Sequence, residues 1–275
     1  MSATAQRTLK LLVQEHEVPG ATLEQKWELL QEVGFHGIEL HGRDQQFGER
    51  LPELQRAAAA GVPLPSVCLI SERFIGDFDA EVRRAAVANM KTLLSTIAAV
   101  GGSGAITPAA FGLFSKALPP FKSPRSAEQD RAVLLEALAE LGEHAGREGV
   151  AVYLEPLNRY EDHMLNKLHQ AVGLIEELGS PHVKVMADTF HMNIEEDDIG
   201  ASLRRTGALL GHVHLADSQR SHPGSGHTDF AQVAAALREI GFDGHLAMEC
   251  RIRGDTRESL AQVAALFNRQ DARVA

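Results

Sequence analysis

Short apolar runs alternate with longer amphipathic segments along most of the chain. The short runs have the length and composition of β-strands, and several longer segments carry apolar residues at helical spacing. We predict eight strands, at residues 9–14, 37–41, 65–70, 104–109, 150–155, 183–188, 211–216 and 244–250. The clearest helical segments between them are residues 23–32, 80–100, 127–147 and 230–240.

A helical stretch after every strand predicts a parallel sheet with crossover helices, and eight such units predict a closed (β/α)8 barrel. Glycines end helical segments just before strands, as helix C-caps do; they are Gly34, Gly61, Gly101, Gly149, Gly179 and Gly241. An open doubly wound sheet is the alternative, but the chain carries neither glycine-rich phosphate-binding motif that often marks such sheets. We therefore predict an α/β protein whose residues 1–275 form a single TIM-barrel domain.

The 275-residue length suits such a barrel. A formal net charge of −10 argues against a nucleic-acid partner. Two cysteines, Cys68 and Cys250, do not make a disulfide framework and favour a reducing compartment. The N-terminal residues do not resemble a signal peptide, and no run reaches the length of a transmembrane helix. These features predict a soluble, cytoplasmic protein with no membrane partner.

Four polar residues end four successive predicted strands. They are Glu155, Asp188, His214 and Glu249, on strands five to eight. The active sites of (β/α)8 barrels lie at these carboxyl ends. Strand alternation places all four on the inward side, because the residues between them are apolar and face the helices. The sequence therefore predicts that the four side chains converge on one point.

Three carboxylates and one imidazole form a donor set suited to Mn²⁺, Mg²⁺, Co²⁺ or Zn²⁺. We predict one divalent metal ion, with Mn²⁺ favoured and positions left open for two substrate oxygens. Two further histidines admit two interpretations each. His212 is either a second ligand or a hydrogen-bonded core residue one layer deeper, and His41 either contacts substrate or is a polar residue of the rim.

Five segments resemble the xylose-isomerase-like TIM-barrel sugar isomerase/epimerase superfamily, especially its ketose 3-epimerases and hydroxypyruvate-isomerase-like members. They are LEPLNRYE (154–161), MADTFHMNIEED (186–197), HVHLADSQR (212–220), PGSGHTDF (223–230) and AMEC (247–250). The resemblance implies that Glu155, Asp188, His214 and Glu249 bind the metal.

The same resemblance implies roles for individual side chains. Glu155 and Glu249 would also be the catalytic acid/base pair. His191 and Arg220 would bind the substrate near its carbonyl, and Glu161 would orient both. The sequence departs from the epimerase pattern just before Arg220, where Asp-Ser-Gln (217–219) replaces the usual Glu-x-Asn.

The predicted enzyme is a metal-dependent isomerase or epimerase of a small keto sugar, keto-polyol or related hydroxy-ketone. It would remove a proton next to the carbonyl and form an enediolate whose charge the metal stabilises. A dehydroshikimate- or inosose-type dehydratase of the same superfamily is the alternative, and an apurinic endonuclease is less favoured. A homo-oligomer is compatible with the sequence. Phe111, Phe114 and Phe121, after strand four, form either a pocket wall or lid, or a packed loop or subunit contact.

Overall fold

The computed structural model describes residues 8–113 and 123–268. Within these ranges eight parallel strands pair in chain order, and the last pairs with the first to close a barrel. The (β/α)8 prediction is therefore confirmed. The strands are β1 (Lys10–Gln14), β2 (Gly37–Arg43), β3 (Ser66–Ile70), β4 (Gly104–Pro108), β5 (Ala151–Glu155), β6 (Val183–Asp188), β7 (Leu210–Leu215) and β8 (His245–Met248).

Helices surround the barrel. In the described ranges they are α1 (Leu23–Glu32), α2 (Leu51–Ala59), α3 (Ala80–Ala98), α4 (Ala127–Glu148), α5 (Leu168–Leu178), α6 (Thr189–Glu195), α7 (Ile199–Thr206), α8 (Phe230–Glu239) and α9 (Thr256–Asn268). Short 3₁₀ segments are Glu15–Glu17, Asp44–Arg50 and Gly207–Leu209. None of the helices described is long and apolar enough to cross a membrane.

The predicted glycine caps have a clear conformational basis. Gly149 and Gly179 follow α4 and α5 with φ of 72° and 67°, the left-handed conformation that a side chain disfavours. At the other end of α4, Ser126 and Gln129 form a reciprocal capping box. Because both ends of the helix are specified locally, the predicted and observed bounds of α4 agree within one residue.

The core has two parts, divided by the strands. The inner part contains Cys68, Ile106, Tyr153 and Met186, which fill the barrel beneath its mouth. The outer part packs between strands and helices and includes Leu154 and Val185. Tyr153 and Leu154 therefore face opposite sides of β5. The predicted strand alternation is confirmed, and it leaves the carboxyl ends of the strands as the polar face of the barrel.

Two strands, β2 and β8, end two residues away from the predicted position. β2 continues two residues further because Arg43 pairs with Ile70 of β3. β8 ends at Met248, so Glu249 lies one residue beyond it, where its amide donates to the carbonyl of Leu215 at 3.3 Å. Of the predicted phenylalanine wall, Phe111 is 48% exposed, whereas Phe114 and Phe121 lie outside the described residues.

Candidate active site and metal centre

The barrel mouth brings the four predicted ligands together. Each of Glu155, Asp188, His214 and Glu249 offers one donor atom, and these atoms all lie within 4.8 Å of one another. Their side chains are buried or nearly so. Since they come from β5, β6, β7 and the residue after β8, the fold itself, rather than one flexible loop, determines their convergence.

The two carboxylate oxygens of Asp188 have different roles. It is the N-cap of α6, and Oδ1 accepts from the amides of Phe190 at 2.7 Å and His191 at 3.3 Å. Oδ2 faces the site, 3.9 Å from His214 Nδ1. Helix capping holds the carboxylate by one oxygen and leaves the other for the site, so a structural role and a functional role coexist.

His214 is held between two carboxylates. Nδ1 lies 3.0 Å from Glu249 Oε2, and Nε2 lies 2.7 Å from Oε1 of Glu39 on β2. Burial alone would lower the pKa of His214, but the two carboxylates raise it well above its usual value. The contact with Glu39 fixes the ring so that Nδ1 points into the site, an arrangement common for metal-binding histidines.

Glu39 is the functional residue that the sequence reasoning missed. Its carboxylate is fully buried, and it accepts from Ser66 Oγ at 2.7 Å and from Gln14 Nε2 at 3.2 Å. His212 Nε2 lies 2.8 Å from its Oε2. Glu39 thus lies between His212 and His214, and this position favours the interpretation of His212 as a core residue one layer below the metal ligands. The available signal was that Glu39 shares the inward side of β2 with His41.

The two predicted catalytic glutamates lie in opposing electrostatic environments. Burial raises the pKa of Glu155 well above its usual value, and the charges of Glu249 and Asp188 add to this. Burial also acts to raise the pKa of Glu249, but Arg220 and His214 outweigh it and lower that pKa. The two carboxyl groups therefore lie in different electrostatic environments, Glu155 beside other carboxylates and Glu249 beside Arg220 and His214.

The residues present fit a divalent cation. Three carboxylates and one imidazole converge in a largely buried site, a donor set of oxygen and nitrogen that suits a divalent metal of hard-to-borderline character. Glu155 Oε1 is buried and has no hydrogen-bond partner among the described residues. Both observations point to a cation as the missing partner. Cys68, whose Sγ lies 3.8 Å from Glu249 Oε1, has its pKa raised by burial and is a neutral thiol, so the donor set remains oxygen and nitrogen.

His191 lies beside this centre and is positioned by Asn158. The Asn158 amide and Nδ2 both donate to His191 Nδ1, at 3.2 and 2.8 Å. Nε2 then carries the proton, 3.8 Å from Glu155 Oε1. Burial lowers the pKa of His191, so the ring presents a neutral N–H donor to the site. Glu161 accepts from Asn158 Nδ2 at 3.1 Å and thereby supports the same arrangement.

Arg220 reaches into the site from the loop after β7. Nη1 donates to Asp188 Oδ2 at 2.7 Å, and Nη2 donates to Glu249 Oε2. The guanidinium carbon lies 4.9 Å from the centre of the Phe190 ring. The described contacts of Arg220 do not include Glu161. The structure therefore brings Glu161 to His191 and leaves Arg220 to be oriented by other residues.

Asp217 explains the loop that carries Arg220. It is fully buried, and its carboxylate accepts from the amides of Ser218, Gly224, Gly226 and Thr228 at 2.7 to 3.0 Å. A Cβ on Gly226 would lie 2.4 Å from Asp217 Oδ1. The Asp217 amide also donates to the Ser221 carbonyl, closing a turn in which Arg220 has a φ of 56°. Asp217, the first residue of the segment that departs from Glu-x-Asn, thus anchors a compact loop.

We expect Glu39→Gln to weaken metal binding by about 10- to 100-fold, the effect typical of removing a partner that orients a metal-bound histidine. Glutamine is nearly isosteric with glutamate. Its NH₂ group, however, would face hydrogen-bond donors that the carboxylate of Glu39 now accepts from. Metal affinity measured by titration calorimetry checks this. Glu176→Gln, on the exposed side of α5, is the control. Unchanged affinity in a folded Glu39→Gln variant would remove Glu39 from this role.

Comparison with known sequences gives a consistent result. A model of the xylose isomerase-like TIM barrel family matches residues 27–270. The 3-dehydro-D-guloside 4-epimerase of Escherichia coli (strain K12) is 40% identical over 243 residues, which cover 86% of this chain and 92% of the relative. The L-ribulose 3-epimerase of Mesorhizobium japonicum is 30% identical over 247 residues, which cover 86% of this chain and 78% of the relative.

Comparison with solved structures agrees. The crystal structure of a 3-keto-D-glucoside 4-epimerase from E. coli, in its apo form, superposes with a TM-score of 0.87 at 38% sequence identity. The match covers 93% of this chain and 99% of that one. The similarity therefore extends over the whole barrel.

Proposed function

This chain belongs to the xylose isomerase-like TIM barrel family, and we propose that it epimerises a 3-keto-hexoside at C4, the carbon beside the ketone. It is an enzyme of the sugar isomerase and epimerase class. The observation that carries the proposal is the convergence of Glu155 and Glu249, together with Asp188 and His214, on one point where their donor atoms all lie within 4.8 Å of one another. The similarity to a 3-dehydro-D-guloside 4-epimerase over most of both chains supports the choice of carbon.

The reaction needs two groups that exchange a proton with the same carbon. One of Glu155 and Glu249 removes the hydrogen from C4 through a carboxylate oxygen, which converts the C3 ketone and C4 into an enediolate. The other glutamate returns a proton to the opposite face of C4 and inverts it. β6 and β7 separate the two glutamates around the rim, which suits delivery from two sides.

Two side chains orient the ketone and oppose its developing charge. His191 presents its Nε2–H to the site, and Arg220 supplies guanidinium donors beside Asp188 and Glu249. Both are fixed before substrate arrives, His191 by Asn158 and Arg220 by its loop. Donors held in advance stabilise an oxyanion without reorganising during the reaction.

Glu155, Asp188, His214 and Glu249 would hold the divalent metal ion, which when bound supplies Lewis-acid polarisation of the ketone. We propose Mn²⁺ as that ion, because three carboxylates and one imidazole suit a metal of hard-to-borderline character. Epimerisation is preferred to dehydration because the relatives compared above are epimerases.

The test is incubation of the Mn²⁺-loaded enzyme with methyl 3-dehydro-D-glucoside in deuterated water. We expect the C4 epimer to form with one solvent deuterium at C4, since the returned proton comes from a group in exchange with solvent. Nuclear magnetic resonance of the product gives both the configuration and the label. Loss of water would instead indicate a dehydratase, and an unchanged substrate would contradict the proposed C4 chemistry.

A further inference from the structure

A cavity of about 330 Å³ opens at the barrel mouth, at the carboxyl ends of β2 and β3. It is lined by His41, Arg43, Gln46, Phe47, Arg50 and Ile70. None of these residues takes part in the chemistry described above. We propose that this cavity is a binding subsite for a second sugar ring, carried as the aglycone of the keto-hexoside. The proposal rests on the proposed function and deepens it.

The cavity lies next to the reacting centre. Cys68 pairs in register with His41, and its Sγ is 3.8 Å from Glu249 Oε1. Arg43 and Ile70 pair two residues further along the same strands, or about 6.6 Å nearer the solvent. Two residues along a strand correspond roughly to the width of one sugar ring. A ring at the metal centre would therefore lie within about one ring's width of this cavity, close enough for a substituent to enter it.

Hydrogen bonds join the cavity to the metal centre. Gln14 donates through Nε2 to Glu39, so its Oε1 is free to accept from His41 Nε2 at 3.0 Å. Burial and the neighbouring His16 lower the pKa of His41, which keeps the ring neutral. His41 then retains Nδ1 as an acceptor. The cavity wall is thus fixed to the same buried carboxylate that orients His214.

The charges at the cavity favour a neutral ligand over an anion. The guanidinium of Arg50 pairs with Glu15 through two bonds of 2.7 and 2.9 Å, and it also pairs with Glu53. Two glutamates thus neutralise Arg50, and with Arg43 counted the group carries two positive and two negative charges. The site therefore lacks the excess positive charge that a phosphate or carboxylate would require.

The lining suits a sugar ring. Arg43 and Gln46 supply planar sets of donors that match neighbouring hydroxyl groups, and Gln46 also supplies an acceptor. Ile70 supplies carbon surface for the C–H face of a ring, and Phe47, which is 1% exposed, backs the cavity. Four of the six lining residues are polar, and such a lining suits a ligand that carries many hydroxyl groups.

The turn that presents Arg43 and Gln46 is held in a strained conformation. Asp44 has a φ of 45°, and Arg220 is the other non-glycine residue with positive φ among those described. The Asp44 carboxylate accepts from Ser71 Oγ and from Asn89 Nδ2. Strain that surrounding bonds maintain is characteristic of binding sites. It occurs here in the segments that follow β2 and β7.

The experiment compares two substrates that differ only in the aglycone, methyl 3-dehydro-D-glucoside and a 3-dehydro-D-glucosyl-glucose disaccharide, each in α- and β-linked form. We expect Arg43→Ala to lower kcat/KM for the preferred disaccharide about 10-fold or more, the loss typical of a charged hydrogen-bond donor. The loss should appear in KM, while the methyl glycoside changes less than about twofold because it does not reach the cavity. Arg84→Ala, an exposed arginine on α3, is the matched control.

The outcomes separate the subsite from the reaction. If wild type epimerises both substrates and Arg43→Ala affects them equally or not at all, the subsite is wrong and the proposed function stands. If wild type epimerises neither, the proposed function is wrong, and calorimetry with the same disaccharides decides the subsite. The subsite proposal is overturned if Arg43→Ala does not weaken binding of the disaccharides. It is also overturned if the enzyme prefers a 6-phosphate ester over a second ring.

Discussion

Glu155→Gln and Glu249→Gln are each expected to lower kcat by about 10²- to 10⁴-fold, the usual contribution of general acid–base catalysis. Glutamine keeps the shape of glutamate and one oxygen for a metal, but it cannot accept a proton as a carboxylate does. Each variant should therefore retain appreciable metal. The two glutamates approach the site from β5 and from the residue after β8, so neither can replace the other on its own face.

Steady-state kinetics with metal content measured on the same samples checks this expectation. Exchange of the C4 hydrogen with deuterated water adds a finer readout, because a variant lacking one base can still exchange hydrogen from one epimer only. Glu195→Gln is the matched control, since Glu195 is also buried but pairs with Arg159 at 2.8 Å. Epimerisation at the wild-type rate by a metal-loaded glutamine variant would exclude that glutamate from proton transfer.

The fold and the convergence of four side chains could be predicted because both depend on local rules. A two-residue period sets which strand residues face inward, and the order of strands sets which ends meet. Glu155, Asp188 and His214 each end a strand or nearly so, and their apolar neighbours determine their side. These facts do not require knowledge of distant contacts.

Glu39 could not be assigned in the same way. Its inward position on β2 could be read from the sequence. Its role, however, depends on the contact with His214, which lies 175 residues away along the chain. Nothing in the sequence near Glu39 indicates that a distant histidine needs a partner. The same limit applies to the cavity beside His41, because its walls come from β2, β3 and the 3₁₀ segment between β2 and α2.

The contacts in the structure agree with the roles implied by the resemblance at some positions better than at others. Glu161 was expected to orient both His191 and Arg220, yet its described contacts reach only the His191 side, through Asn158. Arg220 is held by a loop that Asp217 organises, and this loop differs in sequence from the epimerase pattern. A residue's role in a family depends on loop geometry, which a motif does not specify when a neighbouring position changes.

Complete removal of metal should abolish turnover and lower the melting temperature. A cation that binds these four ligands in the folded chain, and not in the unfolded chain, stabilises the fold, and its removal takes that stabilisation away. A ligand present at about 100 times its dissociation constant stabilises a protein by about 2.7 kcal/mol. For a chain of this size that corresponds to a fall of about 5–10 °C on removal. Differential scanning calorimetry with and without Mn²⁺ measures it.

Asp188→Asn isolates the contribution of the ligand from that of the helix cap. The side-chain oxygen of asparagine can still accept the hydrogen bonds that the α6 amides now donate to Asp188 Oδ1. The start of α6 is therefore preserved while one ionic ligand is lost. We expect this variant to show a much smaller thermal response to Mn²⁺. Asp197→Asn, at a fully exposed acidic residue, should respond as wild type does. A chain verified as metal-free that still turns over normally, or an Asp188→Asn variant with the full thermal response, would contradict the metal centre.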